Sequence, residues 1–214
     1  MLRREGATPY RDRAMFAVLA AAIVVGALVG MATGGRLRWI ASARLRGLGL
    51  LVIGAAAEGL VSTVSLRGWE ATTVLLGGYV CLAGFTAANL GRPGMGVVLA
   101  GIALNAVPIA VNGGMPVEGA AIVRARIATA QEVPDLEFGT KRHLADQRDH
   151  VRWLDDRFPD WVTHRVLSIG DLVISVGVGS VTAGLLHPAT GRRRRRRRRA
   201  HAQPRRHVAE PATV

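Results

Sequence analysis

Glu58 is a lone carboxylate inside a long apolar run, and its chemistry has the most to explain. A carboxylate in such a run is costly and faces a helix-bundle interior or a water-filled cavity. Glu58 precedes Leu66 by eight residues, about 12 Å at 1.5 Å per residue, and Asn105 sits about as deep before Asn112. The two side chains are therefore expected to reach each other across the bundle. Pro108, one turn beyond Asn105, frees a backbone carbonyl nearby. Two chemistries fit. A protonated Glu58 can glue two helices together. Alternatively, Glu58, Asn105, Asn112, His143 and Asp171 can line a pocket for a proton, a cation or a small ligand in one half of the bundle.

Other constellations are weaker. Ser168 and Asp171, flanking Gly170, suit the first turn of a helix, where the partial positive charge favours an acid. His143, Asp146 and His150 are metal-ligand types, but their spacing matches no metal signature, so a solvated polar loop is expected and no metal. Ser168, His164 and Asp171 supply the types of a catalytic triad without a nucleophile elbow or an oxyanion glycine pattern. No catalytic residue and no cofactor is expected, and the default reading is non-enzymatic. Trp153, Asp155, Asp156, Phe158 and Trp161 form an acidic-aromatic stretch suited to folding back onto a membrane–water interface.

The elements that must position these residues are apolar helices. Half of the 214 residues are hydrophobic, only 5% are aromatic, and 26 are glycine. Five runs approach the roughly 20 residues that a membrane crossing needs. They are 14–32, 47–66, 71–90, 94–111 and 169–186, and none alternates with the period of a barrel strand. Small residues recur at four-residue spacing in Gly26-Gly30-Gly34, Ala55-Gly59 and Ser175-Gly179-Ala183, which suits close helix approach or a homo-oligomer. The first run is too long for a signal peptide and lacks a clean cleavage site. Between the fourth and fifth runs, 112–168 is polar. It opens on the turn Asn112–Pro116 and carries a short amphipathic helix over Glu118–Gln131 that suits a membrane surface. The single cysteine, Cys81, forms no internal disulfide.

The expected fold is thus an all-α integral membrane bundle of about five transmembrane helices in the plasma membrane, spanning 14–187. A 13-residue extension precedes it and a disordered tail, 188–214, follows. Ten of the charges behind the net +13 lie in that tail, in Arg192–Arg199, Arg205 and Arg206, so the body is only mildly basic. The arginine run is expected on anionic lipid headgroups rather than on a specific nucleic acid. Arg36, Arg38, Arg44 and Arg46 between the first two runs fall on the same side as the tail. The rule that short basic loops are cytoplasmic puts both inside, with the N-terminus and 112–168 outside. Arg3, Arg4, Arg11 and Arg13 then fall on the outer side, a conflict that a start at Met15 removes.

Gly34-Gly35-Arg36-Leu37, Asn105, Asn112–Val117, Arg142-His143-Leu144 and Ser168–Asp171 follow one another in that order. Together they resemble the bacterial membrane-protein family called domain of unknown function 5317, over about Met15 to Leu186. The resemblance implies a membrane topology and a start near Met15, and it supplies no activity.

Overall fold

The computed structural model describes residues 15–188 other than Ser65, Arg67 and Thr140. The extension and the arginine tail lie outside the described residues. Six helices dominate: α1 (Met15–Ala32), α2 (Leu48–Thr63), α3 (Gly68–Ala88), α4 (Met95–Asn112), α5 (Gly119–Arg124) and α6 (Ile169–Leu185). All but the short α5 are apolar. They pack in the spatial order α1–α6–α4–α3–α2, so the last helix is inserted between the first and the fourth.

The fold is mostly helical but not all-α. Four short strands lie in the segment between α4 and α6: β1 (Met115–Val117), β2 (Arg142–Leu144), β3 (Phe158–Asp160) and β4 (Arg165–Leu167). β1 pairs in parallel with β2, and β3 pairs antiparallel with β4. Each strand is three residues long, too short to leave a period-two signal in the sequence.

These strands and α5 form a small cap with a core of its own. Val117, Ala121, Ile122, Ala125, Val133 and Val166 are buried together there. The amphipathic helix expected over Glu118–Gln131 is therefore corrected on two counts. It is only six residues long, and its apolar side faces the cap core rather than a membrane surface. A buried Val or Ile contributes about 1.5–3 kcal/mol, which an intramolecular core supplies more fully than a half-wet interface. The cap is joined to the bundle by Met115, which is buried with Val61, Ala71, Leu75 and Ile109.

Two helices, α3 and α4, are long and apolar enough to cross a membrane. The expectation of five full-length spans thus narrows to two by that measure. α2 follows Gly47, which caps it in the left-handed conformation, and ends at Thr63, short of the expected Leu66, and α6 ends at Leu185.

Close approach between helices explains which small residues are needed. A Cβ at Gly26 would overlap the Gly179 carbonyl, and one at Gly30 would come within 3.0 Å of the Ala183 backbone, so α1 and α6 meet through these residues of the expected ladders, whereas Gly34 lies beyond α1 with nothing within 4 Å. The Ala55-Gly59 ladder is different. Gly59 has nothing within reach, and the α2–α3 contact runs through Gly54 and Gly78 instead. Gly26→Ala should lower the unfolding midpoint, by an overpacking cost of about 1–3 kcal/mol. Gly59→Ala should leave it unchanged or slightly raised, because helix propensity favours alanine. Thermal unfolding in detergent of the two variants side by side checks this.

Candidate functional site

The end of the bundle beneath the cap holds the polar residues. Asn105, buried in the middle of α4, donates from Nδ2 to Asp171 Oδ1 at 2.7 Å and accepts at Oδ1 from Ser168 Oγ at 2.7 Å. Ser168 is the N-cap of α6. Its Oγ accepts from the Asp171 backbone N–H at 2.9 Å, and the Asp171 carboxylate accepts from the Ser168 N–H at 3.2 Å. This reciprocal capping box satisfies two of the donors that a helix N-terminus leaves open. Asn105 fits there because its neighbour on α6 is Gly170, where any Cβ would overlap Asn105 Oδ1. Asn105 and Asp171 are thus brought together, through a cap rather than a cavity.

Glu58 does not pair with Asn105. Its carboxylate takes Lys141 Nζ at 3.3 Å, with both side chains nearly buried at 13% and 12% exposed. Tyr79 of α3 lies buried beside Glu58, close enough for the two side chains to interact electrostatically. The physical reason for the difference is helix order. α3 stands between α2 and α4, so the partner that Glu58 meets across the bundle is a residue of α3. α2 also ends at Thr63, which places Glu58 only about 7–8 Å from its end and within reach of the cap lysine.

Asn112 and His143 are engaged elsewhere. Asn112 donates to the His150 carbonyl at 3.0 Å and accepts from the His150 N–H at 2.8 Å, a two-bond clamp on one peptide segment. The clamp precedes Val151, a β-branched residue held at φ +50°. Left-handed backbone there costs about 1–2 kcal/mol, which such anchoring offsets. The opposite end of the bundle uses the same device. The buried Asn89 donates to the Arg46 carbonyl at 2.8 Å and accepts from the Arg46 N–H at 3.0 Å, fixing the α1–α2 connection.

His143 Nε2 is 2.8 Å from Asp149 Oδ1. Asp146 joins that pair only through its backbone, whose N–H donates to Asp149 Oδ2 at 2.7 Å, while its own carboxylate accepts from the Arg148 N–H. Among the described residues, no three His, Cys, Asp or Glu side chains converge as a metal-ligand set. The His164 ring faces the Ala125 carbonyl at 3.1 Å, away from the Ser168–Asp171 box.

Sequence reasoning missed Lys141, Tyr79 and Asn89, and it named Arg142 and Asp155 only within longer stretches. One signal was available: Lys141 is the only lysine in an otherwise arginine-only set of basic residues. Arg142 and Asp156 form a buried ion pair at 2.8 Å that ties β2 to the chain entering β3. Asp155, next to it, is 4% exposed, and its Oδ1 has no hydrogen-bond partner among the described residues.

The architecture defines the class: an apolar helical bundle whose polar side chains are pinned under a small mixed cap at one end. The chain belongs to a family of unknown function, DUF5317, whose family model matches residues 42–182. That span takes in Asn105, Asn112–Val117, Arg142-His143-Leu144 and Ser168–Asp171, but leaves Gly34–Leu37 and α1 outside. No curated protein and no solved structure matches the chain.

Asp155 yields a pH prediction. Burial, reinforced by the nearby Asp149 carboxylate and opposed by Arg152, Arg157 and His143, raises its carboxyl from the ordinary 3.8 to about 6. The unfolded chain ionises this group near 3.8 while the folded chain still holds the proton. Its contribution to stability therefore falls as pH rises from about 4 to about 6 and stays low above that, by about 3 kcal/mol in all. Asp155→Asn should match the wild type near pH 4 and be more stable at pH 7.5, measured as paired thermal unfolding curves across that range.

Proposed function

We propose that this chain is a multi-pass integral protein of the plasma membrane. Its spans are α1, α2, α3, α4 and α6, its N-terminus and cap lie outside, its C-terminal tail is cytoplasmic, and its role is structural or interactive rather than catalytic. The observation that carries this is the outward apolar surface of all five helices. Val24 and Leu28 on α1, Val52 on α2, Val80 on α3, Val107 on α4 and Val176 on α6 are each 42–71% exposed. Only 28% and 33% of the apolar windows of α3 and α4 are buried within the protein, whereas the core helix of a water-soluble domain is mostly covered. Lipid is the solvent that leaves such faces uncovered at no cost, and helices satisfy their own backbone there.

The shorter helices fit this reading. At 16–18 residues, α1, α2 and α6 measure about 24–27 Å, and local bilayer thinning absorbs so small a mismatch against about 30 Å. Orientation rests on the short connections at the end away from the cap. The α1–α2 connection carries Arg36, Arg38, Arg44 and Arg46, and the α3–α4 connection carries Arg92. The tail arginines, Arg192–Arg199, would meet anionic headgroups at that face.

A second reading, proton, cation or small-ligand binding through the outer half of the bundle, is favoured by one observation. Glu58 pairs with Lys141 at 3.3 Å, and the buried Tyr79 lies beside Glu58. Two experiments test these readings. Phosphatase and fluorescent-protein fusions after His187 and within 119–139 should report opposite sides, with the His187 fusion fluorescent; the reverse result overturns the orientation. For the site, Glu58→Gln, Lys141→Gln and the double variant form a thermodynamic cycle. The structural role predicts a coupling of about 0.5–3 kcal/mol in unfolding. Unchanged unfolding in Glu58→Gln, with loss of a proton or cation response in vesicles, would favour the second reading.

A further inference from the structure

The β3–β4 hairpin presents two large apolar side chains that nothing in the fold uses. Trp161 is 65% exposed and Val162 is 69% exposed, side by side at its tip. The tip is rigid. Asp160 Oδ1 accepts from the backbone N–H of Val162 at 3.0 Å and of Thr163 at 3.2 Å, and Asp160 Oδ2 accepts from Thr163 Oγ1. His164, at φ +52°, is held to the Ala125 carbonyl at 3.1 Å. The one acid at the tip is thus consumed by the turn, and the two apolar groups are ordered in an outward position. Such a turn costs entropy to organise, and water alone gives no return for displaying tryptophan from it.

Tethering limits what can cover this tip. β4 runs through Ser168 directly into α6. Val162 and Trp161 lie six and seven residues before that N-cap, so the tip is held within about 20–23 Å of the end of the helix. The chain's four tryptophans give a second indication. Trp39 is in the 3-10 turn Leu37–Ser42 with the Arg38 guanidinium over its ring at 5.4 Å, and Trp69 is in the first turn of α3 and 73% exposed. Trp153 and Trp161 are in the cap, so every tryptophan is at a bundle end and none is in a helix interior. Indoles collect in this way at the polar boundary of a bilayer, where the ring is buried and the N–H stays wet.

We propose that the Trp161–Val162 tip of the β3–β4 hairpin inserts into the boundary layer of the outer leaflet, so that the cap rests on the lipid surface as well as on the helix ends. This rests on the membrane reading above, and the surface recognised is the zwitterionic or anionic lipid boundary itself rather than a protein. Insertion would add a lipid anchor at the hairpin tip to the contacts that the cap makes with the helices through Met115, Lys141 and the Asn112 clamp.

The test uses the full chain carrying Cys81→Ala, reconstituted in vesicles of phosphatidylethanolamine and phosphatidylglycerol. Single spin labels are placed by Trp161→Cys, Val162→Cys, Val80→Cys and Glu137→Cys, each checked for an unchanged unfolding midpoint. Collision with oxygen reports lipid and collision with a nickel chelate reports water. Insertion predicts oxygen-dominated collision at Trp161→Cys, Val162→Cys and Val80→Cys, and several-fold more nickel collision at Glu137→Cys. If both tip positions follow Glu137→Cys while Val80→Cys keeps its lipid signature, the hairpin proposal is overturned and the membrane reading stands. If Val80→Cys also reports water, the membrane reading falls and takes the hairpin with it.

Discussion

The start of α6 is the point on which the rest of the structure depends. There Asn105 of α4 joins the Ser168–Asp171 capping box over a glycine that leaves room for it. Each such hydrogen bond contributes only about 1 kcal/mol net, but leaving any one of these buried groups unpaired would cost more than it contributes when paired. The asymmetry makes the arrangement all-or-none. It caps α6 and sets the depth of Asn105 in an apolar bundle. It also fixes where the cap chain descends into the helices, and so where β4 and the hairpin before it must lie. α6 then fills the slot between α1 and α4 through backbone contacts that only small residues allow.

The molecule arranges its hydrophobicity in two ways. The cap turns inward a core around Val117, Ile122 and Val166 and pairs the buried Arg142 with Asp156, while Trp161 and Val162 stay outside at its hairpin tip. The bundle does the reverse, turning glycine, alanine and the few polar groups inward and aliphatic side chains outward. The seam between the two units is where charge enters the bundle. Lys141 reaches down from the cap to Glu58, and the Asn112 amide at the end of α4 holds the His150 peptide in place.

Much of this was legible in the residues. Long apolar runs located the five principal helices to within a few residues. Gly26 and Gly30 facing Gly179 and Ala183 could be read from spacing, and so could Ser168 as a cap. The ordered motifs from Asn105 to Asp171 led to the right family. Three things were not legible, for physical reasons. Three-residue strands carry no periodicity. The partner of Glu58 depended on helix order, which hydropathy does not encode. The side on which α5 buries its apolar residues depended on a cap core assembled from residues as distant as Val117 and Val166. Asn112 and His143 were singled out for their polarity, yet one braces a backbone turn and the other pairs with Asp149. Side-chain type marked these positions without revealing which bonds they make.

The central claim is that the outward aliphatic faces of α1, α2, α3, α4 and α6 are covered by lipid. The most direct measurement is extraction of membranes containing the full chain, first with alkaline carbonate and then with a mild detergent. The account predicts that the chain stays in the membrane pellet through the alkaline wash and is released only when detergent replaces the bilayer. Release of the folded chain into the alkaline supernatant would contradict it.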